Sequence, residues 1–263
     1  MYHNNPVKNE IAGSVESVMS TTRKELQLCY DSFYTPENMT LTVSGNVEPQ
    51  QIYEMVCKKM DGIIAKGIPE KFFDEEPDLP VGYRISRKMD VSRPMFAIGF
   101  KYTVKGMDSD GFLINLLSGS ILSSILFDKT SDFYENMYEK GLVDYGFGYD
   151  FDMDRCYSNA SISGESENPE ELLKYLKEYM SEKAAKGFSE SEFMRVKRSM
   201  FGGDIRMFNF PESIGKLFSS LRHQSIHGFD YFNAYGKITA QDINRVFEKV
   251  YMQEPVMSVI KPL

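Results

Sequence analysis

Residues 22–46, TRKELQLCYDSFYTPENMTLTVSGN, decide how the rest of the chain is read. Thr22 with Glu25 three residues on is the signature of a capping box, in which each side chain satisfies a backbone N–H that the first helical turn leaves unpaired. The helix predicted from there places Leu26, Cys29, Tyr30 and Phe33 on one face, and Pro36 stops it. Residues 39–43 then combine apolar and β-branched side chains as a strand does. The unit is a capped helix, a short turn and a buried strand.

The same order recurs near the other end. Residues 239–260 read TAQDINRVFEKVYMQEPVMSVI, and at one constant offset Thr239 answers Thr22, Asp242 answers Glu25, Ile243 answers Leu26 and Phe247 answers Tyr30. Val250, Tyr251 and Glu254 likewise answer Phe33, Tyr34 and Glu37. Any capped amphipathic helix before a strand shares part of this pattern, but the tyrosine and acid beyond the helix favour a duplicated module. A long run of chain precedes the second copy and only residues 1–21 precede the first. The first module is expected to be cut off on its N-terminal side.

At 263 residues the chain suits one large or two medium domains. Its net charge of −8 opposes broad attraction to nucleic acid or anionic lipid, and Lys197-Arg198 is too short for a basic patch, so neither is expected as a partner. Cys29, Cys57 and Cys156 form no close pair and no secretory signal peptide precedes them. A cytoplasmic, reducing setting is expected, with the three cysteines as small buried hydrophobes. No apolar run is expected to approach the length needed to span a bilayer; the longest candidate, residues 111–127, is broken by Asn115 and several serines.

Between the two modules the punctuation is clear. Glu48-Pro49 opens a helix carrying Ile52, Met55, Val56 and Met60 that ends near Gly62. Residues 66–80, KGIPEKFFDEEPDLP, read as a linker. Strands are predicted over 81–89 and 95–104, a helix capped by Asp108 through Ile121, and a second helical stretch over 127–140 closed by Gly141. Residues 145–151 and 157–164 alternate as two antiparallel strands. Helices follow from Asn168-Pro169 to Gly187, from a Ser189/Glu192 capping box to Gly202-Gly203, and over 211–223. The fold class is α+β, an antiparallel-rich sheet with helices packed on one side. Residues 1–65 form the C-terminal part of a first domain, 66–80 the linker, and 81–263 a complete second domain.

Candidate chemistry is sparse. His223 and His227 are four apart and would share a face of a helix, yet zinc signatures of this spacing place a glutamate beside the metal, and here Gln, Ser and Ile intervene. Gly228 follows at once, so a helix-end role is expected for His227. Ser120 lacks the flanking glycines of a nucleophile elbow. Gly202-Gly203 and Gly146-Phe-Gly148 are too short to cradle phosphate, and the acid pairs Glu75-Glu76 and Glu170-Glu171 read as solvated charge. No complete active site is legible.

The order of segments resembles a known family. Pro6, Ile11-Ala-Gly13, Leu26, Phe33-Tyr34, Pro36, Asn38-Met39 and Val43-Ser-Gly45 match the spaced pattern of insulinase-type (pitrilysin) zinc metallopeptidases, and Ser123-Ser-Ile-Leu126-Phe127 with Met137-Tyr-Glu-Lys-Gly141-Leu142 matches their inactive domain. The bacterial processing-protease-like members look nearest. The resemblance implies repeated α+β domains paired into clam-shell halves that enclose an unfolded peptide. It implies a second peptidase half or homologous subunit as partner, in a homo- or heterodimer. It also implies a zinc site, H-x-x-E-H plus a distal glutamate, wholly in sequence preceding residue 1, so that this chain holds no catalytic, cofactor or metal residue and is inactive alone. The Arg and Tyr with which some members hold the peptide fall here on Tyr138 and Asp144, with Tyr145 one residue away as the candidate substrate-wall residue. The alternative is a scaffold or assembly subunit that keeps the fold for protein interaction alone.

Overall fold

A computed structural model of the chain describes every residue except 65, 66, 71, 73, 104 and 105. The local signals hold well. Thr22 accepts from the Glu25 N–H while the Glu25 carboxylate accepts from the Thr22 N–H, and Thr239 and Asp242 repeat the arrangement. They open α2 (Arg23–Phe33) and α10 (Ala240–Val246). Ser14 caps the short α1 (Val15–Ser20), and Pro49 starts α3 (Pro49–Met60).

The chain divides into two compact units: Met1–Lys8 with Glu75–Gly203 and Phe229–Leu263, and Asn9–Asp74 with Asp204–Gly228. The cut at 74/75 falls inside the stretch read as a linker, parts of which lie outside the described residues. Each unit also gathers chain from elsewhere in the sequence. The first keeps the opening eight residues, and the second takes up residues 204–228.

The first unit holds a five-stranded sheet in the order β1-β5-β2-β4-β3, made of β1 (Arg84–Met89), β2 (Met95–Tyr102), β3 (Gly148–Met153), β4 (Ser158–Glu165) and β5 (Val256–Pro262). β2 runs antiparallel to β4 and β5, β3 antiparallel to β4, and β1 parallel to β5. The predicted end of β2 at Val104 lies outside the described residues. Alternation sorts the side chains cleanly. Phe96, Ile98 and Phe100 of β2, Phe151 and Met153 of β3, Ala160 and Ile162 of β4, and Met257 and Val259 of β5 are all buried. They pack under α4 (Ser109–Phe127), whose N-terminus Asp108 caps, and under α6 (Pro169–Lys186), whose end Gly187 turns at φ 73. α5 (Asp132–Glu139), α10 and a π-helical turn at Phe247–Tyr251 complete the helical layer, with Tyr251 and Phe100 ring to ring at 5.1 Å. Each such buried side chain contributes about 1.5–3 kcal/mol.

Four expectations need correction. The stretch Ser109–Glu139 is long and apolar enough to cross a membrane, at mean hydropathy 1.5, despite Asn115 and its serines; the folded chain buries 67% of that window. Within it α4 is hydrophobic all round because it is a core helix, with Leu113, Leu117, Ile121 and Leu126 almost fully enclosed. Residues 39–43 form no strand. They run extended, Thr42 Oγ1 lies 2.6 Å from Ser219 Oγ, and Ser44 donates to the Pro211 carbonyl of α8 (Pro211–His223). Their side chains Met39, Leu41 and Val43 are exposed, because no ladder partner is present for them among the described residues. Cys29 and Cys57 are exposed rather than buried, since α2 and α3 bury none of their residues, and Cys156 is half-buried. Finally, α8 ends at His223, where the predicted span 211–223 puts it, so the helix-end role expected for His227 does not hold: Ser225 takes φ 60 between the two histidines.

Candidate functional site: the open sheet face and the Tyr145 loop

Helices cover one face of the sheet. The other carries the alternate set of residues, and the register lines them up in rows. Ile85 of β1 stands beside Ser258 of β5, Ser258 beside Ala97 of β2, Ala97 beside Ser163 of β4, and Ser163 beside Gly148 of β3. The neighbouring row runs Val256, Gly99, Ser161 and Asp150. Small residues thus pave the middle of this face, and Ala97, Ser163, Ser258 and Asp150 are exposed there. A floor of small side chains leaves sheet backbone within reach of whatever lies over it. The β1 margin presents Ile85, Arg87 and Met89, all exposed, and the β3 margin is acidic. Burial raises the Asp152 carboxyl there above the usual aspartate range, against the hydrogen bond from Tyr157 that lowers it.

The loop before β3 presents Tyr145. Ser131 caps α5 through the Tyr134 N–H, and Gly141 ends the helix at φ 68, with the Leu142 N–H returning to the Met137 carbonyl at 2.9 Å. Leu142 and Val143 then bury themselves, and Asp144 folds back: its carboxylate accepts from the Gly146 N–H at 2.8 Å and its carbonyl from the Phe147 N–H at 3.1 Å. This Asx-type turn points the Asp144 carboxylate at its own backbone and leaves Tyr145 standing out, 74% exposed. Lys129 lies 4.4 Å over the Tyr145 ring and donates to its carbonyl, while Tyr138 meets the ring edge-on at 6.0 Å. Tyr134 stacks on Tyr138 in turn at 5.7 Å.

Of the positions that the resemblance aligned with a peptide-holding pair, Tyr138 is half of an aromatic ladder and Asp144 is spent on the turn. Tyr145 is the more exposed of the two phenols, 74% against 46% for Tyr138. Sequence spacing missed Arg93, which reaches the same loop from the β1–β2 connection. Its guanidinium lies 3.4 Å from Asp144, 3.0 Å from Glu167 and 3.8 Å from Glu165, all partly exposed. Contacts of that kind fix geometry more than they add stability.

Among the described residues no group of three or more His, Cys, Asp and Glu side chains could hold a metal. The residues present do not fit a zinc site.

A two-layer α+β domain with helices on one face of its sheet and, among the described residues, none on the other is the class that this geometry defines. The family profile for the peptidase M16 inactive domain matches residues 20–200, and the chain belongs to that family. It is 29% identical over 251 residues to YmfH, an uncharacterized zinc protease of Bacillus subtilis, which covers 95% of this chain and 58% of YmfH. An M16-like peptidase from Alicyclobacillus acidocaldarius has the same fold, with TM-score 0.91 at 26% identity, over 100% of this chain and 63% of that one. A protease from Helicobacter pylori, at 18% identity and TM-score 0.83, shares the fold across 99% of this chain and 64% of its own. The chain therefore spans less than two thirds of the length of these relatives.

Proposed function

We propose that this chain is the non-catalytic half of an M16-type zinc metallopeptidase subunit, and that its uncovered sheet face is a wall of the chamber in which an unfolded peptide is cut. The observation that carries this reading is the row Ser258, Ala97, Ser163 and Gly148: small residues side by side on a face that no helix of the described chain covers. A soluble domain ordinarily covers a sheet face or studs it with long polar side chains. A smooth one suits an extended backbone lying across it. Tyr145 at the β3 margin supplies an exposed aromatic with a hydroxyl, which can pack on a peptide and hydrogen-bond to it at once. Zinc and the general base would come from a catalytic-type half of the same family, and that half is the partner expected to close the chamber. Cysteines that form no disulfide among the described residues suit a reducing compartment such as the cytoplasm.

The test is reconstitution. The chain is mixed with a catalytic-type half bearing H-x-x-E-H, and cleavage of an unfolded peptide is followed. The chain should raise cleavage at least tenfold, and Ser163→Trp or Ala97→Arg, which obstruct the face without entering the core, should remove that gain. Equal cleavage without this chain, or obstruction without effect, would overturn the reading in favour of a scaffold role.

A further inference from the structure

The deepest charged pair among the described residues lies apart from the Tyr145 loop. Lys101 stands near the end of β2 on the face that helices do not cover, yet only 2% of its side chain is exposed. Its ammonium donates to Glu76 at 2.5 Å, to the Pro77 carbonyl at 2.6 Å and to the Leu79 carbonyl at 3.3 Å. The Glu76 carboxylate is saturated too. One oxygen accepts from Lys101 and from the His3 N–H at 2.8 Å, and the other from the Asn4 N–H at 2.7 Å and the Asn5 N–H at 2.8 Å.

Three successive backbone donors on one carboxylate hold residues 3–5 in a single arc. Around it the opening segment is tied at every step. The Met1 carbonyl accepts from the Val81 N–H at 3.2 Å, and the Met1 side chain fills the space that a β-carbon on Gly99 would need. Tyr2 donates to the Ser158 carbonyl at 2.9 Å, the Asn4 amide donates to the Glu75 carbonyl at 2.8 Å, and the Asn5 amide to the Cys156 carbonyl at 3.0 Å. Burial pushes the Tyr2 phenol up to about 12, so it remains a donor at any ordinary pH.

All of these contacts lie within the first compact unit, but the chain leaves that unit after Lys8 and re-enters it at Glu75. Glu76 therefore joins the two ends of the excursion Asn9–Asp74. From this we propose that the Glu76–Lys101 pair is a neck clamp: it straps Met1–Asn5 to the sheet and, by closing the long loop between, sets the local stability of α2 and α3. Closing the ends of a loop removes chain entropy that its folding would otherwise have to overcome. Helices α2 and α3 are the elements most sensitive to that change, because none of their residues is buried and packing adds little to their hydrogen bonds.

Hydrogen exchange of the whole chain reads the effect directly. Glu76→Gln replaces one acceptor oxygen by an NH2 group facing backbone N–H donors. Exchange should quicken at least tenfold in residues 1–8 and in α2 and α3, with β2 and β4 unchanged. Lys101→Met keeps the carboxylate for the three N–H groups and should give a smaller increase in the same segments; it carries the test if Glu76→Gln does not fold. The double exchange Glu76→Lys with Lys101→Glu restores opposite charges but no acceptor at position 76, so it should stay as loose as Glu76→Gln. A loosened opening segment with α2 and α3 unchanged, equal loosening of β2 and β4, or recovery in the double exchange would each overturn the proposal.

Discussion

The Phe151 ring lies where a β-carbon on Gly119 would be, so closely that its Cε1, Cζ and Cε2 atoms would all clash with it. This contact seats β3 against the middle of α4, and it is why a glycine stands inside a core helix that would otherwise favour alanine there. Gly119→Ala should destabilise the first unit by about 1–3 kcal/mol through overpacking, although alanine is the better helix former. Phe151→Leu made together with it should recover part of the loss, as a melting-temperature series would show.

Ser123 and Tyr251 differ in what each leaves behind. Ser123 donates to the Gly119 carbonyl at 2.8 Å, so its oxygen accepts from the buried Tyr251 hydroxyl at 2.6 Å. Ser123→Ala strands that hydroxyl with no partner and should cost about 1–3 kcal/mol. Tyr251→Phe leaves Ser123 bonded to Gly119 and should cost clearly less. Denaturant midpoints of the two variants check the order, and an equal cost would contradict this assignment of donor and acceptor.

Acid should act on Glu76. Although burial alone would raise it, the hydrogen bonds from Lys101 and from the His3, Asn5 and Asn4 N–H groups hold its carboxyl at about 2. An unfolded glutamate titrates near about 4.3. A group whose folded value is depressed contributes stability that is present above the unfolded value and lost as pH falls toward the folded one. Stability of the strapped segment should therefore decline between about pH 4 and about pH 2, and Glu76→Gln should flatten that part of the profile. Exchange or proteolysis of residues 1–8 across this range is the measurement.

Tyr145 should separate function from folding. Its side chain is exposed and its ring contacts are confined to Tyr138 and Lys129. Tyr145→Ala should shift stability by no more than about 0.5 kcal/mol. In the reconstituted pair it should raise KM for an unfolded peptide several-fold with kcat less affected. Unchanged KM would remove Tyr145 from the wall.

The caps should be worth similar amounts in different places. Thr22→Ala and Thr239→Ala each remove a side chain that closes a box, at about 1 kcal/mol apiece. The loss at Thr239 should appear in global melting, because α10 buries Ile243 and Val246 in the core. That at Thr22 should appear as fraying of α2 in exchange data.

What could be read from the sequence was what short stretches decide for themselves. Thr22 with Glu25, Asp108 before α4, Gly187 after α6 and the β3–β4 hairpin each depend on neighbours within a few residues, and each stands where expected. The errors lie where a distant partner decides. Residues 39–43 have strand composition but no ladder to join, and Cys29 lies on a face that looks apolar yet is exposed. Of the site, Tyr145 was legible through its spacing from Gly141-Leu142. Arg93 and the Glu76 clamp were not, because nothing local marks a side chain whose partners lie some seventy residues away.

Finally, β5 lies between β1 and β2, so the strand made last is an inner one. During synthesis β1 has no neighbour until residues 256–262 have cleared the ribosome, and β2 must wait with one side bare. The sheet of this unit thus closes only once that late strand is made, not as β1 and β2 themselves emerge. Until then β1 and one side of β2 offer bare edges that a foreign strand could pair with.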